Sequence, residues 1–291
     1  MSSNNPPYSK KPYRRNCDIQ TVDGFPEDMQ RVALGIDYAG HLFHGFQAQP
    51  HDTKTVQGSI EKALSAIANE PTTLVCAGRT DAGVHATNQV VHFDTLATRT
   101  DTAWLRGANA KLPDGVAIRW AKNVTPDFHS RFSAKHRTYR YVIYNTRTHS
   151  ALLKHFVTWD RRRLDVDAMA EASQALVGQH DFNALRASQC QANNAVRNIH
   201  YITLSRQDDF IILEIQATAF LYHMVRNIVG VLTAIGSGEK PVSWAAEVLE
   251  SRNRQCAGVT APPDGLYLVA VDYESHHDLP IRSKGPYFLA S

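Results

Sequence analysis

Three adjacent polar residues, Arg79, Thr80 and Asp81, stand between glycines at 78 and 83 in the run Cys76-Ala-Gly-Arg-Thr-Asp-Ala-Gly-Val-His85. A carboxylate in such a place can act as a nucleophile or move a proton, and a guanidinium can grip a phosphate with a fixed planar fork. The flanking glycines let the backbone turn sharply and come close to a ligand. The competing reading is a corner in which Arg79 and Asp81 merely cap or pair with each other, and residue types alone leave both open.

Arg226 is the most informative residue outside that run. It falls within Phe220-Leu-Tyr-His-Met-Val-Arg-Asn-Ile-Val-Gly230, where a guanidinium buried without a carboxylate or phosphate partner would be costly. It either meets such a partner or reaches the surface along its covered stem. In His136-Arg-Thr-Tyr-Arg-Tyr-Val-Ile-Tyr144 the alternation puts Tyr139, Tyr141 and Ile143 on one strand face and Arg140, Val142 and Tyr144 on the other. A tyrosine stripe of this kind packs a core or an interface as readily as it binds a ligand. Leu266, in Asp264-Gly-Leu-Tyr-Leu-Val-Ala-Val-Asp272, reads on its own as core.

Other chemistries find less support. No second carboxylate lies near Asp81 in sequence, so the two-acid arrangement of a glycosidase is not indicated. The 14 histidines include no His-x-x-x-His helix pattern with an acid, and the four cysteines show no metal-binding or disulfide spacing, so neither metal nor cofactor is expected. Reduced thiols fit a cytoplasmic protein. Arg161, Arg162 and Arg163 are adjacent and so point in different directions, which favours a solvated turn over a phosphate grip.

The elements that must position these residues follow from periodicity. Two apolar strands, 73–77 and 89–93, frame the polar turn, and a first strand at 31–37 precedes an aromatic, glycine-rich loop at 38–47. Phe43 and Phe46 in that loop could stack on bases or plug a core edge. Thr55 is placed to cap a helix carrying Val56, Ile60, Ala63, Leu64 and Ile67 on one face, and a second helix and a strand at 116–124 follow. The second half reads as strand 135–144, helix 167–177, strands 198–206 and 210–218, a buried helix 220–236, a short helix 243–250 and a strand 266–272. Such an order pairs two βαβ-type halves into one extended sheet with helices on its outer face, leaving the open face for a ligand.

At 291 residues and 43% hydrophobic content the chain can bury a full core, and a net charge of +3 is too small to prove nucleic-acid binding. The division expected is a basic tail at 1–29, a half carrying Asp81 at 30–134, a second half at 135–273 and a C-terminal tail at 274–291. The first tail, free of acids over its opening stretch, lacks a secretory core and reads as a flexible segment adding weak attraction to RNA, with an organellar transit peptide as the alternative. No apolar window reaches the ~18 residues of a membrane span.

The string Ala-Gly-Arg-Thr-Asp-Ala-Gly-Val-His with Gln-Val-Val-His-Phe after it resembles, almost letter for letter, the active-site segment of the TruA family of tRNA pseudouridine synthases. The loop pattern Asp37-Tyr-x-Gly-x-x-Phe-x-Gly-Phe-Gln47, the Arg-x-Tyr-Arg-Tyr run and the Arg226 segment resemble further motifs of that family, over roughly residues 30–273. The resemblance implies an α+β pseudouridine synthase fold, with one mixed, mainly antiparallel sheet and a central active-site cleft.

It also implies isomerisation of uridine to pseudouridine at positions 38, 39 and 40 of the tRNA anticodon stem-loop, by a homodimer. Asp81 is implied as nucleophile, attacking C6 of the base or C1′ of the sugar, with Arg226 as its partner. Arg79 would fill the space of the flipped nucleotide or hold its phosphate, Tyr139 would stack on uracil and receive the C5 proton, and Leu266 would pack under the base. Pairing with Arg226 is expected to hold Asp81 ionised well below about 3.9. Two other readings compete: a non-catalytic tRNA-binding or folding module on the same scaffold, and a hydrolase that releases free uracil.

Overall fold

The computed structural model describes residues 25–49, 54–190 and 192–289. Most of the basic N-terminal tail, with Cys17, and residues 50–53, with His51, lie outside the described residues. The first half contains β1 (Gln30–Tyr38), α1 (Val56–Ala68), β2 (Val75–Cys76), β3 (His85–Thr95), α2 (Asp101–Asn109) and β4 (Val116–Val124). There follow β5 (His136–Tyr144), β6 (Thr158–Trp159), α3 (Val166–Ser173), β7 (Gly178–Asp181), β8 (Val196–Gln207) and β9 (Phe210–Ala217). The chain ends through α4 (Met224–Gly236), α5 (Trp244–Ser251) and β10 (Leu266–Asp272).

The strands of the described residues join one 10-stranded sheet in the order β4-β1-β3-β10-β5-β9-β8-β7, with β2 beside β3 and β6 beside β5. Most pairs are antiparallel, whereas β10 runs parallel to β3 and β6 parallel to β5. The last strand is therefore central. It meets β3 at only two residue pairs, Tyr267 with His85 and Leu268 with Ala86, and β5 along a longer antiparallel ladder.

The sheet is held on one face by helices. Thr55 caps α1 as its sequence predicts, its Oγ1 accepting from the Gly58 amide at 3.2 Å, and Val56, Ile60, Ala63 and Leu64 are buried. Trp104 of α2 meets Phe93 of β3 edge to face at 5.1 Å. Over the other end, α4 buries Met224, Val225, Ile228, Val229, Val231, Leu232 and Ile235 in the core that also contains Ile211, Leu213 and Ile215 of β9 and Tyr139 and Tyr141 of β5.

The face expected to stand open for a ligand is covered. Phe128 packs there with Trp120, Val124 and Tyr273, and Val142, Val157, Tyr267 and Val269 pack with Leu289. The C-terminal segment is tied down by polar contacts: Lys284 pairs with Glu214 at 2.7 Å, and Arg140 donates to the Gly285 carbonyl at 3.0 Å. Several boundaries also differ from the expected ones. The turn holding Asp81 is framed by a two-residue β2 and by a β3 that begins at His85, and α4 starts at Met224 rather than 220 because His223 adopts a left-handed backbone. The short β6 and β7 carry too few residues to show a period.

Candidate active site

The turn carrying Asp81 is braced from three directions. Thr80 is buried, its Oγ1 2.8 Å from the Tyr38 hydroxyl on β1, and its carbonyl accepts from the Phe46 amide at 3.0 Å. Gln89 on β3 donates from Nε2 to the Gly78 carbonyl at 2.6 Å. The aromatic loop presses close here, since a Cβ on Gly40 would sit 2.0 Å from the Val84 carbonyl oxygen. Phe43 and Phe46 are buried in the core, so of the two readings offered for them the structure selects the plug and removes base stacking.

Asp81 meets two residues from the start of α4. Arg226 places Nη1 3.8 Å from Asp81 Oδ2, and His223 places Nε2 3.4 Å from the same oxygen. The arginine found by sequence alone is thus beside the carboxylate. Its electrostatic effect is smaller than expected: burial of Asp81 outweighs the Arg226 charge, and the carboxyl is pushed up to about 6 instead of being held below its ordinary range. The cause is geometric. At 3.8 Å the guanidinium is short of a close pair, and its Nε is committed to the Ala261 carbonyl at 2.7 Å. A carboxylate of this kind is ionised at neutral pH yet weakly stabilised, as suits a nucleophile.

Tyr139 and Tyr141 share a strand face and diverge in what they touch. Tyr141 is fully buried, its hydroxyl donating to the Pro262 carbonyl at 2.8 Å and lying 2.6 Å from Thr158 Oγ1. Tyr139 lies edge to face with Phe220 at 5.0 Å and feels the Asp81 charge, which together with burial drives its phenol well above the usual range. Only Tyr139 is therefore disposed toward the carboxylate. Leu266 is buried at the start of β10, directly across from Tyr141 and in the same core as Tyr139. Arg79 is exposed one residue from buried Thr80.

Residues passed over at the level of sequence complete the surroundings. Arg137, on β5, donates to the carbonyls of Ala77 at 2.9 Å, Arg131 at 2.7 Å and Thr218 at 2.9 Å, and so fastens the strand before the Asp81 turn to the second half of the sheet. An arginine two residues before Tyr139 was a visible signal, though its acceptors are backbone atoms without sequence signature. Arg162 is spent on Asp160 and Glu239, in keeping with a solvated turn. Among the described residues, Asp127, His276 and His277 bring ligand atoms within 4.8 Å of one another and could hold a metal ion, a grouping hidden by its sequence separation. Cys76, Cys190 and Cys256 are free, and burial pushes the Cys76 thiol up to about 11.

With this geometry in place, comparison with known proteins is direct. The family described as tRNA pseudouridine synthase matches residues 36–133 and 172–274, which include Arg79, Asp81, Arg226 and Leu266. The chain is 52% identical over 260 residues to a protein of Klebsiella pneumoniae named tRNA pseudouridine synthase A, covering 89% of this chain and 96% of that one. It is 55% identical over 254 residues to the protein of that name from Nitrosococcus oceani, covering 87% and 98%. A third, from Pseudomonas aeruginosa, is 51% identical over 262 residues, covering 90% and 92%.

Proposed function

Because this chain belongs to the tRNA pseudouridine synthase family, we propose that it isomerises uridine to pseudouridine in tRNA with Asp81 as the nucleophile. The observation carrying the assignment of Asp81 is its setting: a largely buried carboxylate, pushed up to about 6, with Arg226 and His223 both turned to one of its oxygens. Asp81 attacks C6 of the base or C1′ of the sugar, and the bond from N1 to C1′ breaks. The uracil turns, C5 bonds to C1′, the C5 proton leaves, N1 takes up a proton in its place and the bond to Asp81 is released. No atom is gained or lost, so the reaction draws on no oxidant or reductant.

The other residues take roles consistent with their placement. Exposed Arg79 suits a grip on the phosphate beside the flipped nucleotide. Tyr139 suits stacking on uracil, and Leu266 suits packing beneath it. A phenol raised so far is scarcely ionised at neutral pH, so the role of Tyr139 rests on its ring and on its neutral hydroxyl. The substrate positions proposed are 38, 39 and 40 of the anticodon stem-loop, modified by a homodimer in the cytoplasm where tRNA is found. Family membership supports these finer assignments. Among the described residues no helix is long and apolar enough to cross a membrane.

The test is tritium release from tRNA labelled at C5 of uridine, comparing the wild-type protein with Asp81→Asn. Release by the wild type alone, with no free uracil, is expected. Release by neither protein while both still bind tRNA would replace the enzyme with a binding module, and free uracil would replace the isomerase with a hydrolase.

A further inference from the structure

Among the described residues around Asp81, His223 is the non-glycine residue whose backbone is left-handed. It stands at the N-terminal boundary of α4 with φ 61° and ψ 5°, a left-handed conformation that a side chain bearing a Cβ adopts only at a free-energy cost. The helix does not gain a cap from it, since its side chain makes no capping hydrogen bond. What the conformation achieves is direction: the ring turns back over the helix start, stacks on Tyr222 with centroids 4.0 Å apart and brings Nε2 to 3.4 Å from Asp81 Oδ2. Strain held where it aims a side chain at a reacting group points to function.

We propose that His223 is a positioning residue for the nucleophile: with its proton on Nε2, the imidazole donates to Oδ2 of Asp81, holds that oxygen beside Arg226, and leaves Oδ1 for the substrate. The inference rests on Asp81 being the nucleophile. Both basic groups approach closest to the same oxygen, Oδ2. At 3.4 Å the pair is just longer than a full hydrogen bond, and catalytic contacts of this length tighten when substrate closes the site.

The groups facing the imidazole are Asp81 from the turn before β3, Arg226 from its own helix, Arg254 from the segment after α5, and Tyr222 beside it. Burial and the two arginines hold its basicity below the ordinary histidine range, so at neutral pH it is uncharged and offers one N–H. A neutral donor orients a carboxylate without quenching its charge. It also favours the ionised form of Asp81, so its removal moves the acid limb of the pH–rate profile to higher pH.

The experiment compares kcat, KM, pH–rate profiles and thermal melting for the wild type, His223→Asn, His223→Gln and Asp81→Asn. Asparagine tolerates the left-handed backbone but is too short to reach Asp81, whereas glutamine presents an N–H at a similar distance. For His223→Asn the expectation is a loss in kcat on the order of 10- to 100-fold, an unchanged KM and melting temperature, and an acid limb displaced upward. His223→Gln should recover most of the loss. A His223→Asn protein with wild-type kcat and acid limb, beside an inactive Asp81→Asn, would overturn this proposal alone. So would a lowered melting temperature with no recovery by glutamine, which is the mark of a structural histidine. Full activity in Asp81→Asn would overturn the nucleophile assignment and this inference with it.

Discussion

Arg226 stands 3.8 Å from Asp81 while its Nε donates to the carbonyl of Ala261 at 2.7 Å. The guanidinium is thus anchored by the chain's own backbone, and the carboxylate receives only what reaches it across the gap. The charge of Arg226 draws the proton affinity of Asp81 down; burial acts in the opposite direction and prevails. Arg226→Met should therefore raise Asp81 above its value of about 6, carrying the acid limb of the pH–rate profile upward and lowering kcat at pH 7 by about tenfold or more. A profile with the wild-type limb would show that the two residues are not coupled.

The same burial makes Asp81 costly to the fold. Its native value of about 6 lies above the ordinary 3.8, so between those limits the folded protein binds more protons than the unfolded chain, and stability falls as pH rises through that window. The contribution is fully unfavourable above pH 6 and absent below 3.8. Asp81→Asn removes it and should stabilise the protein at pH 7 by about 2–3 kcal/mol, with little gain at pH 4. Denaturant titration at the two pH values measures the difference, and an equal effect at both would contradict it.

How much of this was legible in the sequence depends on where the information resides. Asp81, Arg226, Tyr139 and Leu266 were legible because each sits in a run of residue types that is unusual as a string, and the strand at 266–272 because its apolar residues are contiguous. The state of Asp81 was not, because it is the difference between burial and a charge 3.8 Å away, neither of which has a sequence period. The direction of His223 depends on one backbone angle. The covering of the second face was hidden for a similar reason: Lys284 and Gly285 are held by contacts to Glu214, Arg140 and Thr87 from distant strands.

Tyr139 and Tyr141 lie on one face of β5, and their hydroxyls predict opposite outcomes on removal. Tyr141→Phe leaves the buried Pro262 carbonyl and Thr158 hydroxyl without their partner and should cost about 1–2 kcal/mol of stability, with kcat near wild type. Tyr139→Phe keeps the ring against Phe220 and should melt like the wild type. Its effect should fall on kcat with KM unchanged, whereas Tyr139→Ala should raise KM as well by removing the stacking surface. Paired melting and kinetic measurements separate the two, and loss of activity in Tyr141→Phe alone would transfer the base contact to Tyr141.

Gly230 offers a way to move Arg226 without altering any residue at the cleft. It lies one turn along α4, where a Cβ would sit 1.9 Å from the Val259 carbonyl oxygen, so a side chain there must displace the segment from Val259 to Ala261. That segment supplies the Ala261 carbonyl holding Arg226 Nε, and its Ala261 amide donates to the Arg226 carbonyl at 3.1 Å. Gly230→Ala should cost about 1–3 kcal/mol through overpacking. Because the displaced backbone is Arg226's anchor, kcat should fall at temperatures where the variant remains fully folded, and the acid limb should shift as in Arg226→Met. A variant that loses stability yet retains wild-type kcat and pH dependence would mean that Arg226 is held in place by its helix alone.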